Sequence, residues 1–203
     1  MKTVFINPER CIGCKQCQIA CAVEHSQSKT LFGAVFEEPK SRPRVLVAPG
    51  LYLDTSFPNK CRHCDPAPCM TVCPTGAILR DTSTNIVLVD EQKCIACAMC
   101  AMVCPFDVIT FYPSLLNKLA ATKCDHCIER QSRGDIPACV DACKTGALVF
   151  GDINELVKSA RTKLAQSVSV AVTKIDTEAA RIPAHVDAWR SMGEAVSMIG
   201  VED

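Results

Sequence analysis

Four runs of four cysteines constrain this chain of 203 residues more than any other feature of its sequence. The runs are Cys11, Cys14, Cys17 and Cys21; Cys61, Cys64, Cys69 and Cys73; Cys94, Cys97, Cys100 and Cys104; and Cys124, Cys127, Cys139 and Cys143. They contain all sixteen cysteines, while only seven Phe, two Tyr and one Trp are present to fill a core. We therefore expect metal sites to supply much of the stability, and the metal-free chain to be poorly folded.

The spacing within the runs favours iron-sulfur clusters over zinc. A structural zinc site takes four ligands, usually from two Cys-x2-Cys pairs separated by a spacer. Here a third cysteine follows closely and a fourth comes after three intervening residues, which is the spacing of bacterial [4Fe-4S] proteins. The fourth cysteine of such a run ligates the neighbouring cluster. The longer spacers in the second and fourth runs are insertions that a loop accommodates. Four complete runs predict four [4Fe-4S] clusters.

A disulfide framework is the competing explanation for so many cysteines. It is disfavoured because residues 1–10 leave no room for a signal peptide before Cys11. No stretch of eighteen apolar residues is present either, so we expect a cytoplasmic protein without a transmembrane segment.

The charge balance argues against a nucleic-acid partner, because Lys plus Arg and Asp plus Glu both number 22. Sixteen thiolates on four oxidised clusters leave about eight negative charges, since each core carries about two positive charges. The loaded protein should therefore be acidic, with basic side chains offsetting the cluster charge.

A short internal repeat connects the two ends of the cysteine-rich region to its middle. Residues 143–150 (CKTGALVF) resemble residues 73–80 (CPTGAILR), and residues 3–11 (TVFINPERC) resemble residues 86–94 (IVLVDEQKC). In the middle, two apolar stretches separated by a polar turn predict a β-hairpin between the second and third runs.

The repeat indicates how the four runs pair. If the equivalent hairpin is divided between the chain ends, strand 147–150 should pair with strand 3–6. The second run then forms one unit with the third, and the fourth forms one with the first. Tandem pairing, first with second and third with fourth, stays open as the alternative.

The predicted fold is α+β, with two bacterial-ferredoxin-like modules of two [4Fe-4S] clusters each, one inserted in the other, followed by C-terminal helices. The expected boundaries are 61–104 for the inner module, 1–21 plus 124–150 for the outer module, 1–150 for the whole four-cluster domain, and 151–203 for a helical extension that docks a partner.

Smaller segments carry their own predictions. Residues 44–47 should form a short strand, and residues 49–59 a loop because of Pro49, Gly50 and Pro58. Asp152 can cap a helix with one apolar stripe.

A further helix from Pro183 to about Ile199 would carry Trp189, the only tryptophan. That helix either packs on the cluster domain or grips a partner, as buried tryptophans often do at interfaces.

Taken together, the four runs resemble a known family, the four-cluster polyferredoxin subunits of molybdenum or tungsten oxidoreductases, formate-hydrogen systems and nickel carbon monoxide dehydrogenases. The resemblance covers about residues 3–158. Within it, residues 22–29 (AVEHSQSK) and the short loops are most similar to the iron-sulfur partner of carbon monoxide dehydrogenase.

The resemblance implies a non-catalytic electron-transfer subunit of anaerobic metabolism. It would relay electrons between a catalytic oxidoreductase and a second redox protein. Carbon monoxide dehydrogenase is the favoured catalytic partner, with formate dehydrogenase or hydrogenase as alternatives. A freely diffusing polyferredoxin is the other function considered, although such a carrier has no use for residues 151–203.

The resemblance also implies nested pairing and a set of ligands for each cluster. Cluster 1 takes Cys11, Cys14, Cys17 and Cys143; cluster 2 takes Cys21, Cys124, Cys127 and Cys139; cluster 3 takes Cys61, Cys64, Cys69 and Cys104; cluster 4 takes Cys73, Cys94, Cys97 and Cys100. One departure is Lys144, which stands where family members often have proline after the last ligand.

Few other residues suggest a chemical role. His63 and His126 lie inside ligand loops and are expected at the surface or beside a cluster, because the cysteine count is already complete. His25 and His185 have no assigned partner. Gly13 is small either to admit backbone N-H groups to sulfur or because of its backbone angles. No catalytic triad, carboxylate pair or phosphate loop is recognisable, so no catalytic residue is expected.

Overall fold

The computed structural model describes residues 2–50, 55–114 and 118–172, with side chains to residue 169. The chain divides into two units, the first spanning Lys2 to Phe150 and the second starting at Gly151. The helix expected around Trp189 lies outside the described residues.

Short strands and short helices alternate along the first unit. The strands are β1 (Lys2–Ile6), β2 (Val45–Pro49), β3 (Ser56–Lys60), β4 (Ile78–Arg80), β5 (Val87–Val89), β6 (Thr110–Pro113), β7 (Leu119–Thr122) and β8 (Leu148–Asp152). The helices are α1 (Gln16–Glu24), α2 (Leu31–Phe36), α3 (Pro68–Thr71), α4 (Met99–Met102), α5 (Ile128–Ser132) and α6 (Ala138–Asp141), with a 3-10 turn at Pro8–Arg10. The fold is thus a mixture of small sheets and helices, with each cysteine run between two strand pairs.

Every sheet in the described residues has two strands. Three sheets are hairpins, β2 with β3, β4 with β5 and β6 with β7, and the fourth joins β1 to β8. The N-H of Asn7 donates to the Ala147 carbonyl at 2.8 Å, and the N-H of Asp90 donates to the Ala77 carbonyl at 2.7 Å. These two bonds lie at equivalent positions of the internal repeat. The strand pairing expected between the chain ends is therefore present, and so is the hairpin expected in the middle.

The loop predicted for residues 49–59 is wrong over its second half. Strand β3 occupies Ser56–Lys60 and pairs antiparallel with β2, placing Pro58 opposite Val47. Proline lacks a backbone N-H and is confined to strands with an open side. A two-stranded sheet has an open side on both strands, so Pro58 is tolerated there.

The apolar core of the first unit is small and lies against the sheets. Val45 and Leu148 are 1% and 2% exposed and belong to one cluster, and Ile78 and Val87, at 4% and 1%, belong to another. Leu148 and Ile78 occupy equivalent positions of the repeat. The two halves of the repeat therefore bury the same strand position.

The second unit is described as one helix, α7 (Ile153–Val172). The Asp152 carboxylate accepts the N-H of Asn154 at 2.9 Å, which is the cap predicted from the sequence. Within the described part of the chain, no helix is both long enough and apolar enough to cross a membrane.

Truncating one of these core side chains tests the packing of β8. Leu148→Ala should lower the free energy of unfolding by about 2–5 kcal/mol, because a buried leucine is replaced by a cavity. Leu79→Ala, on an exposed position of β4 (39% exposed), should cost about 1 kcal/mol or less. Thermal melting of the two loaded variants under anaerobic conditions measures the difference. Equal melting temperatures would contradict the role of Leu148 in the core.

Candidate metal centres

The structure collects cysteines from distant runs in groups of four. Three cavities are each lined by one such group: Cys11, Cys14, Cys17 and Cys143 (set 1); Cys61, Cys64, Cys69 and Cys104 (set 3); and Cys73, Cys94, Cys97 and Cys100 (set 4). Each group combines the first three cysteines of one run with the last cysteine of another. This is the distribution of ligands expected when neighbouring clusters share two runs.

The remaining cysteines, set 2, are Cys21, Cys124, Cys127 and Cys139, and all four are buried. Burial raises the pKa of Cys21 to about 12, and the neighbouring Cys124 and Cys127 contribute to this rise. Burial likewise raises the pKa of Cys139 well above its ordinary value, with Cys124 and Cys21 adding to it. Cys21 from the first run therefore lies among cysteines of the fourth run.

The Cys-x-x-Cys loops share one backbone conformation. The second intervening residue has a left-handed φ in all four runs: 69° at Gly13, 52° at His63, 54° at Ala96 and 56° at His126. The N-H groups of His63, Ala96 and His126 donate to the sulfur of the first cysteine of their run at 3.4, 3.5 and 3.4 Å. Such hydrogen bonds stabilise negative charge on a ligating sulfur.

Gly13 combines a left-handed φ with a close neighbour. His63, Ala96 and His126 adopt the same left-handed φ with a side chain attached. At Gly13, however, an added Cβ would lie 2.7 Å from Ser56 Oγ, on strand β3. The close approach of this hairpin to the first run therefore adds to the cost of a side chain at this position.

Contacts in the core show the order of the four sets. Three apolar clusters each contain cysteines of two sets, joining set 1 to set 2, set 2 to set 3, and set 3 to set 4. Their cysteines are Cys17, Cys143, Cys21 and Cys139; Cys124, Cys61 and Cys104; and Cys69, Cys104, Cys73, Cys94 and Cys100. The sets therefore follow one another as 1, 2, 3, 4.

Solvent exposure agrees with this order. Cys14 and Cys97 are the exposed cysteines of the sixteen, and the others are buried or half-buried. Cys14 belongs to set 1 and Cys97 to set 4. An exposed cysteine thus lies at each end of the row.

A set of polar contacts around Asp125 links the first run to the fourth. It was not predicted from the sequence. The Arg44 N-H donates to Cys21 Sγ at 3.2 Å, and its guanidinium lies 2.7 Å from the Asp125 carboxylate. His25 Nε2 lies 3.4 Å from the same carboxylate and 4.0 Å from Cys127 Sγ. Burial lowers the pKa of His25 to about 4, although Asp125 opposes this shift, so the imidazole is neutral at pH 7. Only the tertiary structure brings these residues together.

His63 and His126 are buried, which corrects the surface position considered for them. The two residues are 9% and 3% exposed, respectively, and their ring centroids are 4.1 Å apart. Burial lowers the pKa of both rings, that of His126 to about 3. His63 Nδ1 accepts the N-H of Val87 at 3.0 Å. His185 lies outside the described residues.

Two protein-family models and several known proteins match this chain. Residues 54–153 match the family described as a 4Fe-4S dicluster domain, and residues 4–21 match a 4Fe-4S binding domain. An iron-sulfur protein of Rhodospirillum rubrum is 38% identical, over 74% of this chain and 82% of the relative. The electron transport protein HydN of Escherichia coli K12 is 35% identical, over 75% and 89% respectively. A tetrathionate reductase subunit of Salmonella typhimurium LT2 is 32% identical, over 75% and 58%.

The four-cysteine sets and these matches define a [4Fe-4S] iron-sulfur protein. The chain belongs to the family of ferredoxin-type [4Fe-4S] proteins that includes the R. rubrum iron-sulfur protein and HydN. Sixteen cysteines in groups of four provide the sulfur ligands that [4Fe-4S] clusters need, which confirms the predicted cofactor.

The contact between Gly13 and Ser56 yields a test. Gly13→Ala should destabilise the set 1 loop by about 1–2 kcal/mol from the left-handed φ, with a further cost from the crowded Ser56 Oγ. Ser56→Ala in the same chain should remove the second cost and restore part of the stability. Iron content and melting temperature of the two variants measure this difference. If the double variant is no better than Gly13→Ala alone, contact with Ser56 is not the reason for glycine.

Proposed function

We propose that this protein is the electron-transfer subunit of an oxidoreductase complex, holding four [4Fe-4S] clusters in a row. The observation that supports this most directly is the order of the sets, with the exposed Cys14 at one end and the exposed Cys97 at the other. When bound, such clusters supply one-electron oxidation and reduction. A row with one exposed cysteine at each end suits the passage of electrons between two partners.

The proposal includes the ligands of each cluster. Sets 1 to 4 each hold one cluster, so that the first run pairs with the fourth and the second with the third. Two ferredoxin-like modules then result, with the inner module of residues 61–104 inserted in the outer module of residues 1–21 and 124–150. The pairing of β1 with β8 supports this arrangement, because it rebuilds at the chain ends the hairpin found in the middle.

The chain's own residues hold and shield the clusters. Backbone N-H groups donate to the first cysteine sulfur of three runs, and the Leu148 N-H donates to Cys143 Sγ at 3.4 Å. The Thr75 and Thr145 hydroxyls lie 3.7 Å from Cys73 and Cys143 Sγ at equivalent positions of the repeat. These donors favour the thiolate form, and the burial of all four cysteines of set 2 keeps water from that part of the row.

We propose a catalytic oxidoreductase as one partner and a second redox protein as the other. The sequence resemblance favours carbon monoxide dehydrogenase as the catalytic partner, with formate dehydrogenase or hydrogenase as the alternative. A relative whose name makes it a subunit of tetrathionate reductase supports a role within an oxidoreductase complex. The cytoplasmic location expected from the sequence, and docking of a partner by residues 151–203, belong to the same proposal.

Reduction by purified enzymes tests the choice of partner. The loaded protein is mixed anaerobically with carbon monoxide dehydrogenase and carbon monoxide, formate dehydrogenase and formate, or hydrogenase and hydrogen, each enzyme from the native host. Loss of the visible absorbance of the oxidised clusters should be fastest with carbon monoxide dehydrogenase. Fastest reduction by one of the other enzymes would identify the alternative partner, and no reduction by any of them would contradict the proposed function.

Paired cysteine variants test the ligand assignment. Four clusters correspond to about sixteen iron and sixteen sulfide per chain. Cys21→Ser should remove or weaken one cluster, leaving about twelve iron. Adding Cys124→Ser should remove little more, because both residues serve set 2, whereas adding Cys61→Ser should leave about eight iron.

The outcome that would overturn nested pairing is the reverse order of the two double variants. Tandem pairing places Cys21 on the cluster of Cys61, so the Cys21 and Cys61 variant would then keep about twelve iron. Four zinc ions and no sulfide in the unaltered protein would end the iron-sulfur assignment altogether.

A further inference from the structure

A basic residue precedes the first cysteine of every run, but the structure separates these four residues into two kinds. They are Arg10, Lys60, Lys93 and Lys123. Lys60 and Lys123 are buried, 1% and 4% exposed, beside the two inner sets. Arg10 and Lys93, beside the two outer sets, are exposed, and Lys93 Nζ lies 3.3 Å from the Asp90 carboxylate.

The two buried ammonium groups have neutral partners. Lys60 Nζ donates to the Cys61 carbonyl at 3.1 Å and lies 2.9 Å from His126 Nε2. Lys123 Nζ donates to the Cys124 carbonyl at 3.2 Å and to the Val87 carbonyl. In the described part of the chain these partners are carbonyl oxygens and an imidazole, and none of them carries a negative charge.

The two lysines cross over: each one lies next to one set in the sequence but contacts residues beside the other set in the structure. Lys60 precedes Cys61 of set 3 but contacts His126, which lies inside the set 2 loop. Lys123 precedes Cys124 of set 2 but contacts Val87, whose N-H donates to His63 inside the set 3 loop. Burial lowers the pKa of Lys60, and the nearby Cys124 and Cys139 oppose this shift. Burial raises the pKa of Cys69, and the nearby Lys123 opposes that shift. The rings of His63 and His126, whose planes are inclined by 54°, are in contact where the two loops meet.

A buried charge without a counter-charge is costly, and an ordinary protein pairs it. Four thiolates on an oxidised cluster of core charge about +2 leave about two negative charges on each inner set. A cluster bound to set 2 or set 3 would therefore supply a counter-charge for Lys60 and Lys123. The exposed Arg10 and Lys93 need no such partner, because water and salt screen them.

We propose that Lys60 and Lys123 raise the reduction potentials of the two inner clusters above the values these clusters would have without the lysines. This inference rests on the proposed function and its ligand sets. Reduction adds one electron from an external reductant to one cluster, with no bond made or broken in the protein. The added negative charge is stabilised by a nearby ammonium group, and more strongly in a buried environment than at the surface. The two lysines thus act through their charge on the clusters of sets 2 and 3 and do not ligate them.

Charge removal at equivalent positions tests the proposal. Lys60→Gln and Lys123→Gln remove the buried charges, and Lys93→Gln and Arg10→Gln remove the exposed charges at the same position of the outer runs. Each full-length, loaded variant is titrated anaerobically with dithionite against solution potential, and the reduced clusters are followed by electron paramagnetic resonance. At fixed potential, the ratio of reduced to oxidised inner cluster should fall at least tenfold in Lys60→Gln and Lys123→Gln, which is 59 mV for one electron. The outer variants should change it less than twofold.

Three results would overturn the proposal. One is no shift, or a shift to higher potential, in the two buried variants. Another is an equal shift in Lys60→Gln and Lys93→Gln. The third is loss of iron from both buried variants, which would make the lysines structural. Failure of the proposed function would appear in the unaltered protein, as fewer than four reducible clusters, whereas failure of this inference would appear only in the variants.

Discussion

The structure depends on the gathering of cysteine sulfurs from distant parts of the chain into groups of four. Each group takes three cysteines from one run and the last cysteine of another, so Cys21 lies among cysteines more than a hundred positions later in the sequence. Helices of at most nine residues and two-stranded sheets cannot stabilise the first unit alone. We therefore expect metal binding to contribute directly to folding, as it does in other small metal-rich domains.

The same local unit recurs around the chain with different surroundings. A two-stranded sheet leads to a basic residue, the basic residue to a cysteine, and the cysteine to a loop with a left-handed φ at its second intervening residue. In the first and third runs, which belong mainly to sets 1 and 4, this unit faces solvent on one side, and Cys14 and Cys97 are exposed there. In the second and fourth runs the two units face each other, and their contact buries Lys60, Lys123, His63 and His126. One sequence pattern thus yields two electrostatic environments.

Local patterns predicted much of the fold. Apolar alternation and capping chemistry act over a few residues, and they predicted the β4–β5 hairpin and the Asp152 cap. The internal repeat predicted the pairing of β1 with β8, because its two halves correspond to the two strands of the β4–β5 hairpin. Strand β3 was missed because Pro58 is unfavourable in a strand unless the sheet has an open edge, and the edge is a property of the assembled sheet. The buried histidines and the contacts of Asp125 were missed because they join elements far apart in sequence.

The sequence by itself determined the cofactor, because cysteine spacing sets which sulfurs can surround one metal centre on a single loop. It also placed a cation before every run, although nothing in the local sequence distinguishes Lys60 and Lys123 from Arg10 and Lys93. Only the tertiary structure decided which of these cations are buried, which glycine is crowded and which sulfurs are exposed. The physical reason is that burial depends on tertiary packing: the loops of sets 2 and 3 cover one another, and the loops of sets 1 and 4 have no counterpart to cover them in the described residues.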